Sequence, residues 1–170
     1  MKALALAVAM IMPAAAQAEE PFAGFMTGVA ACLDASEDEA AARACIGVGS
    51  GACMDGAPGG QSTVGMMSCL LAERDAWDVL LNEEYQSART AARQMDAAEQ
   101  PANPEFAVRA DRLRDAQRAW IAFRDANCAM EYAVWGGGSM RQITGADCQM
   151  QMTAERTIQL RSLRQMLTEG

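Results

Sequence analysis

The chain contains no histidine, and Lys2 is its sole lysine. Without an imidazole no Ser-His or Cys-His nucleophilic pair can be assembled, and mixed Cys/His zinc sites are excluded as well. No two cysteines stand in a Cys-x-x-Cys pair, which removes the other common zinc spacing. Aromatic residues make up only 5% of the sequence, and no strand-like alternation of apolar and polar residues occurs in it. The longest leading apolar run, residues 3–12, is about half the roughly 20 residues that span a bilayer. The glycines at 59 and 60 lack the Gly-x-x-x-x-Gly-Lys pattern of a phosphate loop.

What is present begins with an address. Met1-Lys2, the apolar run and Ala16-Gln17-Ala18 read as a secretory signal cleaved after Ala18. The mature chain, residues 19–170, is then a periplasmic or secreted bacterial protein with no membrane insertion after cleavage. Its size is that of one domain with one core. Its 13 cationic residues are all arginine, against 22 acidic ones. Such a field repels nucleic acid and anionic lipid and favours a basic partner; acidity alone also keeps an exported protein soluble.

Six cysteines, at 32, 45, 53, 69, 128 and 148, lie in the mature part, an even count that reads as three disulfides. Six cysteines allow 15 connectivities. Proximity in sequence favours Cys32–Cys45, Cys53–Cys69 and Cys128–Cys148, and the first of these is the least constrained.

The periodicity is helical throughout. Residues 22–33 form one short helix, and Ser36 with Glu39 reads as a capping box opening a second over 37–46. Residues 47–65 hold seven glycines and read as a connector. A long helix follows over 66–98, with Met66, Leu70, Trp77, Leu81, Tyr85, Ala88, Ala92 and Met95 on its inner face and Glu73, Arg74, Asp75, Glu83, Glu84, Arg89 and Arg93 opposite. Asn103-Pro104-Glu105 is a helix start, and the helix it opens runs to about residue 134, where three glycines break it. A loop at 139–146 leads to a last helix, whose inner face is Thr153, Arg156, Leu160, Leu163 and Leu167. The fold class is therefore all-α, an antiparallel bundle of three long helices (53–170) preceded by a small disulfide-stapled helical extension (19–52).

The central segment is Gln117 to Cys128. Leu113, Ala116, Trp120, Phe123 and Asn127 share a helical face, so Trp120 and Phe123 read as a core wedge together with Trp77, Leu81 and Tyr85. Asn82, Gln117 and Arg124 are the polar groups placed to share a network with Asp78 or Asp125, as a register-fixing ion pair or a carboxylate clamp. The glycine turn presents Trp135, Gly137, Gly138, Ser139 and Arg141 at one end of the bundle. Two readings are open for it: a binding edge, since Trp and Arg often anchor interfaces, or a permissive turn with Trp135 packed beneath.

These strings resemble a known family. Cys69, then Trp77-Asp78-x-x-Leu81-Asn82-x-x-Tyr85, then Gln117-x-x-Trp120-x-x-Phe123-Arg124-Asp125-x-x-Cys128, Gly137-Gly138-Ser139, Cys148 and Thr153-x-x-Arg156 are similar to the lysozyme-inhibitor-like domain named for the lipoprotein LprI. The resemblance spans about residues 53–165. It implies an extracytoplasmic helical domain with Cys128–Cys148 bonded and Cys69 bonded upstream, most simply to Cys53. The Cys32/Cys45 piece falls outside the usual domain.

Three functions compete. A binding module for a basic protein such as a lysozyme suits the charge and the resemblance. A wall-directed glycosidase would need two carboxylates about 5–9.5 Å apart, and no acidic residue here stands alone in apolar sequence. An envelope protein with a structural or copper-handling role would use Met66-Met67 and Met150-x-Met152, thioethers that also serve as core filler. The reading carried forward is binding without catalysis, with no cofactor.

Overall fold

The computed structural model describes residues 22–169, so the signal sequence expected over residues 1–18 and its expected cleavage site lie outside the described residues. Six α-helices follow in order: α1 (Ala23–Ala35), α2 (Glu39–Arg43), α3 (Val48–Gly56), α4 (Thr63–Glu99), α5 (Arg109–Val134) and α6 (Met140–Glu169). A single 3-10 turn, Pro104–Phe106, precedes α5. Among the described residues there is no strand, and no helix is long and apolar enough to cross a membrane. The fold is an all-α bundle in which α4 and α6 form the principal pair, with α5 lying more lightly against both.

Trp77, wholly buried, is the centre of the main core. Around it pack Val29, Leu33, Leu70, Met150 and Ile158, so α1 contributes to the same apolar interior as α4 and α6. A second cluster of Leu81, Ala88, Leu113 and Leu160 continues along the bundle, with Tyr85 and Trp120 at its edge. The six cysteines close as Cys32–Cys45, Cys53–Cys69 and Cys128–Cys148, with Cα separations of 5.7, 5.7 and 5.5 Å.

Several local expectations are corrected. Residues 47–65 are not a plain connector, because Val48–Gly56 is helical. The cause is Glu73, assigned by its charge to the outer face of α4 but wholly buried. Its carboxylate accepts from Gly47 N at 2.7 Å and Ser50 N at 2.6 Å, satisfying amides that the start of α3 leaves unpaired. Gly47 itself has φ +94°, a conformation that strains other residues. At the other end of this segment Cys53–Cys69 ties α3 to α4. A Cβ at Gly65 would run into the carbonyl of Gly59, so the glycines here serve close packing.

Ser36 does not cap α2; it closes α1, its hydroxyl donating to Leu33 O, and Asp38 caps α2 by accepting from Ala41 N at 2.8 Å. Arg161 of α6 donates to both Leu33 O and Ser36 O, a cation at a helix C-terminus where the carbonyls lack partners. Asn103 does not cap α5 either: its amide donates to Glu99 Oε1 at 2.7 Å. The cap comes from α4, where Asp96 accepts from Arg109 N at 3.0 Å and Ala110 N at 2.9 Å. Burial works to raise the Asp96 carboxyl, but these amides and the Arg109 guanidinium outweigh it and hold it below the usual carboxylate value.

Phe123 leaves the core wedge: it is 61% exposed. The side of α5 that turns inward runs through Leu113, Gln117 and Cys128, and Phe123 lies about 100° around the helix from it. The expected loop at 139–146 is helical, since α6 begins at Met140.

Candidate functional site

Two surfaces use the residues singled out in the sequence. The first is the tip where α5 hands over to α6. Trp135 caps α5, Gly136 turns the chain at φ +50°, and Gly138 N donates to Trp135 O at 2.9 Å. Arg141 braces the turn from α6: its Nη1 donates to Gly136 O at 3.1 Å, and its guanidinium lies 5.5 Å from the centre of the Tyr132 ring. Gly145 lets Tyr132 seat against α6, since a Cβ there would sit 3.1 Å from the ring. Ser139 contributes its carbonyl to Gln142 N at 3.2 Å. Gly137 has open space around it.

Behind the turn the Cys128–Cys148 bond joins the two helices, with Met152 Sδ 3.7 and 3.8 Å from its sulfurs. Trp135 is 46% exposed, so it is not packed beneath the turn. Met130, Tyr132, Val134 and Met140, close to it in sequence, are exposed as well, on a chain of net charge −8. Acidic groups border the tip: Glu131 is exposed, and Asp125 and Asp147 lie nearer the disulfide. Burial pushes the Asp147 carboxyl above the usual range; a hydrogen bond from Gln151 opposes this and the charge of Glu73 adds to it. A mostly apolar depression of about 530 Å³, floored by Leu71, Cys128, Gly145 and Ala146, opens next to Tyr132.

The second surface is a cleft of about 410 Å³ between α4 and α5. Asp78, Asn82, Tyr85, Gln117, Trp120 and Arg124 all line it, so most of the recognised strings converge here rather than in the core. Trp77 lies in the core behind it, while Leu81, also buried, forms part of its lining. The polar groups form three separate pairs. Asn82 donates to Asp78 Oδ2 at 3.1 Å, and Arg124 to its neighbour Asp125 Oδ1 at 2.9 Å. Arg156 Nε donates to buried Gln117 Oε1 at 2.9 Å, the pair that joins α5 to α6. Both Arg124 and Arg156 approach the Trp120 ring, at 5.1 and 5.9 Å from its centre. Burial pulls the Arg156 guanidinium below its ordinary value.

Arg89, assigned by its charge to the outer face of α4, lines the same cleft, as do Arg114 and Arg118, which sequence reasoning missed. Arg114, Arg118, Ile121 and Arg124 follow three- and four-residue steps along α5, and that spacing was the available signal. Met150 is buried in the core and Met67 packs against it, so these thioethers are spent on packing.

Fold and site together define a disulfide-pinned helical bundle, built for an oxidising compartment, with an apolar tip and a lateral cleft. The chain belongs to the lysozyme inhibitor LprI family, whose profile matches residues 53–160. An uncharacterised protein of Rhizobium meliloti (strain 1021) is 31% identical over 96 residues, covering 55% of this chain and 69% of that relative. No solved structure matches.

Proposed function

We propose that the protein is exported, loses residues 1–18, and acts in the periplasm or outside the cell by binding a basic protein, a lysozyme being the sharpest candidate. It does so without catalysis. The observation that carries this reading is the α5–α6 tip: Trp135 and its apolar neighbours stand exposed, braced by Arg141 and the Cys128–Cys148 bond, on an acidic chain. Opposite net charge accelerates encounter with a basic partner, and an exposed tryptophan provides the anchor. A turn held by a disulfide loses little conformational entropy on binding, which favours affinity. Trp135, Gly137, Gly138, Ser139 and Arg141 are the contact residues in this proposal, with Arg141 acting chiefly as a brace.

The test is capture by immobilised mature protein from envelope extract and from purified basic lysozymes, repeated at high salt. Retention of a basic protein at low salt and its release at high salt supports the reading. Unchanged lytic activity at excess protein removes lysozyme as the partner, and failure to retain any basic protein removes the class.

A further inference from the structure

The α4–α5 cleft carries an inference independent of the tip. In a chain of net charge −8, four of its arginines line this single cleft: Arg89 from α4, and Arg114, Arg118 and Arg124 from α5. Two of these are neutralised locally, Arg114 by Asp111 and Asp115, and Arg124 by Asp125. Arg89 and Arg118 make no ion pair among the described residues. Moreover, Arg89 Nε is buried and has no hydrogen-bond partner among them. The one carboxylate on the lining, Asp78, accepts a hydrogen bond from the Asn82 amide.

Arg93 and Arg112 also lack ion pairs among the described residues, but both are exposed and neither lines the cleft. Arg89 and Arg118 instead come from two different helices onto one concavity, whose floor is Leu81, Tyr85 and Trp120. Its volume of about 410 Å³ falls within the range of small-molecule sites. Planar guanidinium groups with free donors match carboxylate and phosphate oxygens. We propose that the cleft between α4 and α5 binds a small molecule carrying more than one oxyanion group, gripped by Arg89 and Arg118 above the Tyr85–Trp120 floor.

The test titrates the mature protein with citrate and, separately, with inorganic pyrophosphate, by calorimetry and by the NMR shift of the Trp120 indole N–H. The proposal expects saturable binding of at least one probe that moves the Trp120 signal. Binding should weaken about tenfold or more in Arg118→Gln, a change at an exposed position, and in Arg89→Gln, while Arg112→Gln, on α5 but outside the cleft, leaves it unchanged. A response to citrate alone assigns a polycarboxylate, and a response to pyrophosphate alone assigns a ligand with more than one phosphate group. No saturable binding of either probe, equal loss in Arg112→Gln, or binding that leaves Trp120 unmoved overturns the proposal.

Discussion

Trp77 donates its indole N–H to Glu73 Oε1 at 3.0 Å, and both side chains are fully removed from solvent. Because the same carboxylate caps α3, one residue of α4 seats the central tryptophan and fastens the preceding segment to the bundle. Glu73→Ala strips the acceptor from three buried or half-buried N–H groups and should cost about 3 kcal/mol or more, at about 1–3 kcal/mol for each unsatisfied group. Glu73→Gln, which keeps one acceptor oxygen, should cost less. Urea unfolding measures both, and a loss under about 1 kcal/mol for the alanine variant would contradict this role.

Asp96 sets an acid limit on stability. Its folded-state pKa lies below the unfolded value of about 3.9, so its contribution is complete above that pH and is lost as pH falls through the folded value. Asp96→Asn should flatten the fall in Tm on acidification, and Asp96→Ala should cost about 1–2 kcal/mol at neutral pH as a lost helix cap. Melting curves across the acid range check both.

Asp147 works in the opposite direction. Its raised folded-state pKa means that the folded protein holds the proton more tightly than the unfolded chain, so stability declines as pH rises above about 3.9 through the folded value. Asp147→Asn is therefore expected to raise Tm at neutral pH and to leave it nearly unchanged in strong acid. A lower Tm at neutral pH would show that the carboxylate is stabilising.

The Cys128–Cys148 bond closes a loop with a sequence separation of 20. Replacing both cysteines by serine should cost about 3 kcal/mol by the chain-entropy estimate. The loss should appear first at the tip, as faster amide exchange over residues 134–141 while the α4–α6 core stays protected. Uniformly faster exchange would instead mean that this bond supports the whole bundle.

The helical architecture was legible from periodicity, because α4, α5 and α6 carry long stripes and Trp77, Leu81 and Leu160 lie buried where those stripes place them. Glu73 was misplaced because its charge was weighed above its spacing: it sits four residues before Trp77, on the same side of α4. Phe123 was misplaced for the mirror-image reason, its apolar character outweighing an angular position at the edge of the α5 contact. The 47–65 segment looked unstructured because its helix depends on a carboxylate 23 and 26 residues away, a long-range partner that local propensity does not register. Asn103 and Ser36 carried correct cap chemistry, but Asp96 and Asp38 took those places. At the tip, the three glycines identified the turn, but whether Trp135 packs beneath it or stands exposed was left open by the sequence, and the fold leaves it exposed. The arginine cleft spans two helices, and only their packing brings Arg89 towards Arg118.

Calorimetric titration of residues 19–170 with a purified basic lysozyme, at low and at high salt, tests the recognition reading most directly, with Trp135→Ala run in parallel. The account predicts a saturable complex that weakens as salt is added and weakens by about tenfold or more in Trp135→Ala, with Tm unaltered by the substitution. Affinity indifferent to both salt and Trp135, or no complex at all, would contradict it.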